Sequence, residues 1–153
     1  MFRLLLPFLE PNSGSAITHA GTLVLRLGAG LLIAVFHGWP KLQQGIAYVQ
    51  HGIAWPLLEG ISLMGIPFPS FWAFVATVTY LVGGLFVAAG FLTRFAALDV
   101  VGSLLVAIYA NFQLGRDNQM ALLYAMLFAG IALYGGGRYS VDAVLFGRGT
   151  HDG

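Results

Sequence analysis

An arginine set inside an apolar run limits what this chain can fold into. Arg26 is followed by Leu27 to Phe36 without a charge, and the run closes on His37, Gly38, Trp39, Pro40 and Lys41. Extended back to Ile17, it supplies about 20 helical residues, roughly 30 Å at about 1.5 Å per residue, the thickness of a bilayer's hydrocarbon core. A guanidinium at that depth costs a few kcal/mol or more unless it faces protein or a wet cavity. The fold therefore has to supply a partner for Arg26.

Composition agrees with a lipid solvent. Of 153 residues, 58% are hydrophobic and 8% charged, against roughly a quarter charged in a soluble domain. Mean hydropathy is +0.83. The net charge of +1, with no basic run, argues against a nucleic-acid partner. Cysteine is absent, which excludes disulfides, thiolate zinc sites and iron–sulfur clusters ligated by this chain alone. A redox role would then need a bound organic cofactor or another subunit.

The hydropathy pattern predicts an all-α membrane protein, a four-transmembrane-helix bundle forming a single domain over residues 1–153. Its helices are expected at about 17–37, 71–92, 95–112 and 118–135, with an outer loop over 38–70. Arg94 stands in a short connection and forces the second and third helices into an antiparallel hairpin. Within the loop, Trp55 to Met64 predicts a short interfacial helix with Pro56 in its first turn and Glu59 facing water, while Trp39, Tyr48, Trp55 and Trp72 suit the headgroup level. The opening MFRLLLPFLEP is expected at the interface. Arg3, Arg94, Arg138 and Arg148 fall on one side and Lys41 and Arg116 on the other, which predicts both termini in the cytoplasm. Gly28, Gly30, Gly83, Gly84, Gly90 and Gly102 offer flat faces for close helix packing.

Two polar groupings follow from helix depth. Arg26 and Asp99 come from opposite-running helices at depths differing by about 6 Å, so an Arg26–Asp99 ion pair is expected, with Arg94 as a competing partner for Asp99. The pair would either fix helix register or leave Arg26 to bind an anionic or carbonyl-bearing ligand. His37 and Lys41 share a face if the helix continues through Pro40, and diverge if it kinks there. They read either as an interfacial pair or as part of a pocket. With Tyr80, Thr77, Tyr109, Asn111 and Tyr124 they would form a polar pocket with apolar walls, suited to an isoprenoid quinone or similar carbonyl compound. The residues chosen for that pocket are His37, Lys41, Tyr80 and Asn111. No metal site is expected, and haem is disfavoured because no second histidine stands at the depth of His37.

In order along the chain, Arg26-Leu27-Gly28, His37-Gly38, Lys41-Leu42, Gly65-Ile66-Pro67-Phe68-Pro69, Gly83-Gly84, Gly90-Phe91-Leu92-Thr93-Arg94 and Gly135-Gly136-Gly137-Arg138-Tyr139-Ser140-Val141-Asp142 resemble the DoxX family of small bacterial membrane proteins. The resemblance implies a four-helix bundle in the bacterial cytoplasmic membrane. Some relatives are associated with quinone-linked sulfur oxidation or membrane oxidoreductase complexes. The family often has a glutamate just before the glycine pair, where this chain has Tyr80-Leu81-Val82, and a histidine near the outer end of the third helix, where it has Asn111. Those departures favour a subunit over an autonomous enzyme. The expectation is a membrane subunit working with a redox complex and other membrane subunits, with a quinone-type ligand as its candidate cofactor; the alternative is a non-catalytic accessory subunit docked on a larger assembly. A transporter is disfavoured, since no inverted repeat with interrupted segments is evident.

Overall fold

The computed structural model describes residues 16–146, which are helical apart from short turns, with no strand among them. The expectations for residues 1–11, for Arg148 and for the side on which the termini lie concern residues outside that range.

The first helix is longer than expected. It runs as α1 (Ala16–Ile33), a π-helical turn (Ala34–Gly38) and α2 (Trp39–His51) without interruption, so the expected end at 37, with a loop from 38, is corrected. Pro40 has no N–H, and its ring would crowd the carbonyl four residues back. The π turn, in which the Trp39 N–H donates to the Ala34 carbonyl, inserts an extra residue just ahead of the ring, and the helix passes through. It ends at Gly52, whose φ of 66° suits a residue without Cβ and whose N–H donates to the Tyr48 carbonyl.

A short helix, α3 (Pro56–Leu63), follows with Pro56 in its first turn and Glu59 exposed. Trp55 is 1% exposed and packs against Tyr48 and Phe74, with ring centroids 6.1 and 4.9 Å away. A side chain at Gly45 would meet the indole at 3.0 Å, so that glycine makes the room. The segment is thus a lid pinned by one tryptophan.

The second long helix comprises α4 (Pro69–Val78), another π turn (Thr79–Gly83) and α5 (Gly84–Ala89). After the Gly90–Leu92 turn come α6 (Thr93–Gln113), α7 (Gln119–Tyr134) and a terminal α8 (Val141–Phe146). Thr18–His51, Pro69–Ala89 and Thr93–Gln113 are each long and apolar enough to cross a membrane, whereas Gln119–Tyr134 is apolar but shorter. Large apolar side chains such as Phe36, Phe95, Met126 and Leu133 point outward, a surface that suits lipid rather than water.

The four apolar segments close around one core. Ala29 and Ile33 of the first, Tyr80 and Val87 of the second, Ala97, Val100 and Leu104 of the third, and Phe128 and Ile131 of the fourth are buried together. The first and second touch backbone to backbone: a Cβ on Gly84 would stand 2.8 Å from the Gly30 carbonyl, and one on Gly38 would stand 2.7 Å from the Leu81 nitrogen. At the hairpin end all four segments are in contact. Beyond the π turns, α2 and α4 stay together under the lid but make little contact with α6 and α7. The bundle is closed at the hairpin end and splayed at the lid end.

Candidate functional site

Two sites follow from that shape, a polar clasp at the closed end and a cleft at the open one.

The clasp answers the question posed by Arg26. Its side chain is 1% exposed, and its guanidinium donates to the carbonyls of Gly136 at 2.6 Å and Tyr139 at 2.7 Å. Asp99 is not its partner. The Asp99 carboxylate instead accepts from the Thr79 hydroxyl at 2.9 Å and is exposed, so the expected Arg26–Asp99 ion pair does not form. The reason lies in the Gly135–Gly137 turn, which folds back and presents carbonyls at the level of Arg26, whereas Asp99 turns toward the neighbouring second helix. The acidic member of the clasp is Asp142, which accepts from the Leu92 N–H (2.7 Å), the Thr93 N–H (2.9 Å) and the Thr93 hydroxyl (2.8 Å). It thereby caps α6, whose own N-terminal residues provide no side-chain cap. Ser140 caps α8 through the Ala143 N–H at 3.1 Å.

The cleft, about 830 Å³, lies between the splayed segments beneath the lid, and His37, Lys41, Tyr80 and Asn111 all line it. Helix continuity through Pro40 keeps His37 and Lys41 on the same side. The His37 ring stands edge-on to Tyr124 with centroids 5.2 Å apart. The Lys41 ammonium lies 4.9 Å above the centre of the Tyr80 ring, a cation–π arrangement. Tyr80 is 3% exposed and its hydroxyl donates to the Ser103 carbonyl at 3.1 Å, so it contributes a ring face more than a free donor. The walls are otherwise mostly apolar, including Leu57, Ile61, Trp72, Val75 and Val106.

Of the other residues weighed for the pocket, Tyr124 lines the cleft, the Thr77 hydroxyl is bound to the Ala73 carbonyl, and Tyr109 is exposed and lies outside the lining. Asp99, Ser103 and Arg116 line the cleft without having been expected there. The Arg116 signal is local: Leu114-Gly115-Arg116 is a helix-ending sequence, with Gly115 at φ 63° and the Arg116 N–H donating to the Asn111 carbonyl at 2.8 Å. That six-to-one bond is a Schellman closure, and it fixes Arg116 beside Asn111. Among the described residues no group of three His, Asp or Glu side chains converges as a metal site.

A family model, DoxX, matches residues 21–112, well over half of the chain and from the clasp arginine through the third helix. The chain belongs to the DoxX family. No curated protein and no solved structure matches it. The family match ends before the Gly135–Asp142 turn, although that turn supplies the carbonyls and carboxylate that complete the clasp of this DoxX protein.

The polar groups of the cleft are mostly donors. His37, Lys41 and Asn111 carry donors that no side-chain acceptor in the described residues takes up, and the walls around them are aromatic and aliphatic. These donors are half-buried, and a donor facing an apolar cavity gains from an acceptor brought to it.

Proposed function

We propose that this DoxX protein crosses the bilayer four times in the bacterial cytoplasmic membrane, with the lid on the outer side and both termini in the cytoplasm. In that setting it serves as a small subunit of a membrane redox complex and holds a quinone-type molecule in the cleft. The fourth helix is short for a crossing, at 16 residues, but Asn118 before it and the glycine turn after it extend its reach. The observation that carries the reading is the convergence of His37, Lys41, Tyr80 and Asn111 on one apolar-walled cleft. His37, Asn111 and Lys41 would orient carbonyl oxygens, and Tyr80 and Tyr124 would face the ring. A quinone supplies two-electron carrier chemistry when bound; the residues of this chain supply binding, orientation and a lid that limits access of water.

The test is titration of the purified protein with a short-tailed quinone, followed by tryptophan fluorescence, since Trp72 lines the cleft. Saturable quenching that weakens at least tenfold in the His37→Ala, Lys41→Ala double variant supports the pocket. Quenching that never saturates, or is the same in the double variant, removes it.

A second reading, an accessory subunit that docks on a larger complex without binding a ligand, draws on Asp99. Its carboxylate is exposed on a helix apolar enough to cross a membrane, beside a smaller groove of about 280 Å³ lined by Thr79, Val82, Phe86 and Phe95. A carboxylate at that depth is normally covered by protein. Turnover of an intact native assembly that survives His37→Ala together with Lys41→Ala favours this role.

A further inference from the structure

We infer that the mouth of the cleft binds the acidic headgroup of a membrane amphiphile, with Lys41 and Arg116 as its cations. This goes beyond the quinone-type reading and shares Lys41 with it: a quinone is neutral, whereas an acidic headgroup would engage Lys41 and Arg116 by charge. The first observation is that the cations of the cleft are unpaired. Lys41 and Arg116 line the cleft together with Asp99 and Asp117, yet no carboxylate of the described residues reaches either basic side chain; the Lys41 ammonium has only the Tyr80 ring beneath it. Asp117 is the nearby acid, and its carboxylate is directed to the start of α7, where it accepts the Gln119 N–H at 3.0 Å. Asp99 is bound to Thr79 on the third helix's inward half.

The second observation is depth. Arg26 and Lys41 lie on one continuous helix, some 22 Å apart along its axis at about 1.5 Å per residue. With Arg26 enclosed in the clasp near one face of the hydrocarbon, Lys41 reaches the other face, where lipid phosphates lie. Exposed Trp39 and Trp72 stand at the same end, as expected of a headgroup boundary. Arg116 is held there by its backbone bond to Asn111. An anionic oxygen at the mouth would meet two cations, the half-buried Lys41 and the exposed Arg116, and charge-assisted bonds are the stronger kind. The attached chain would run down the apolar walls between the splayed helices. A phosphate of an acidic lipid and the carboxylate of a free fatty acid share this chemistry.

The whole protein in phosphatidylcholine nanodiscs provides the test, with acyl-brominated lipids as quenchers of its three tryptophans, all at the lid end. Brominated phosphatidylglycerol should quench at a mole fraction about tenfold lower than brominated phosphatidylcholine, given roughly a fivefold gain per basic residue near an acidic surface. Lys41→Gln and Arg116→Gln should each reduce that preference. Lys41→Arg should keep it, and so should Arg94→Gln, which removes an exposed charge at the hairpin end. Displacement by a fatty acid assigns the site to free acids, and resistance to it assigns the site to lipid; both uphold the headgroup chemistry. Equal quenching by the two lipids, an unchanged preference in the Lys41→Gln, Arg116→Gln double variant, or an equal loss in Arg94→Gln overturns the proposal. Quinone titration in phosphatidylcholine alone separates the two readings: loss of quinone binding with the phosphatidylglycerol preference intact leaves this site standing.

Discussion

Asp142 grips Thr93 by both its backbone N–H and its hydroxyl, at 2.9 and 2.8 Å, across 49 residues of chain. One carboxylate therefore caps the third long helix and ties the start of α8 to the hairpin. Asp142→Ala should lower stability in detergent by about 1–2 kcal/mol, the scale of a lost helix cap. Asp142→Asn should cost less, because one side-chain oxygen remains to accept. Denaturant unfolding followed by circular dichroism measures both, and an Asp142→Ala protein as stable as wild type would refute the cap.

Arg26 should be far more sensitive than Asp99. Arg26→Ala takes the donor from the part-buried Gly136 and Tyr139 carbonyls and empties the buried space the arginine fills, and a loss of about 3 kcal/mol is expected from the stranded groups and the cavity. Asp99→Asn keeps an acceptor for Thr79 and should change stability by less than about 0.5 kcal/mol. A double-mutant cycle between the two positions should show coupling near zero; a coupling above about 1 kcal/mol would restore the ion pair that the structure replaces.

Glycines of one composition should behave in opposite ways. Gly38→Ala drives a methyl to 2.7 Å from the Leu81 nitrogen, where the backbone cannot yield as a flexible side chain would, and should cost about 1–3 kcal/mol. Gly28→Ala and Gly102→Ala, which meet nothing within 4 Å, should be neutral or stabilising by about 0.5–1 kcal/mol through helix propensity. Thermal unfolding of the three variants checks the contrast, and equal effects would mean that the first and second helices are not in backbone contact there.

The lid should depend on the bulk of Trp55 rather than on its N–H. The indole nitrogen is buried without a partner in the structure, so Trp55→Phe should cost much less than Trp55→Ala, for which about 3–5 kcal/mol is expected. Limited proteolysis between Gly52 and Pro67 should accelerate in Trp55→Ala and stay near the wild-type rate in Trp55→Phe.

Much of this architecture was legible in the sequence because hydropathy and depth are local quantities. The segment positions of the second, third and fourth helices, the short helix after Trp55 and the placement of His37, Lys41, Tyr80 and Asn111 at one end all follow from spacing along helices. What escaped was non-local. Proline rules predict a break at Pro40, and only the accommodating π turn shows that the helix continues. The partners of Arg26 are backbone carbonyls, which every residue carries, so nothing in the composition of Gly136 or Tyr139 distinguishes them. Asp142 stands just beyond the last apolar segment and looks like an ordinary solvated acid until the chain folds back over the hairpin.

The division between a clasped end and a splayed end gives the molecule the mechanics of tweezers. Its fulcrum is the polar knot of Arg26, Thr93 and Asp142, and its arms are the far halves of the two helical hairpins. A change in the spacing of the arms would leave every bond of that fulcrum in place, because the hydrogen bonds made by Arg26 and Asp142 all lie at the clasped end.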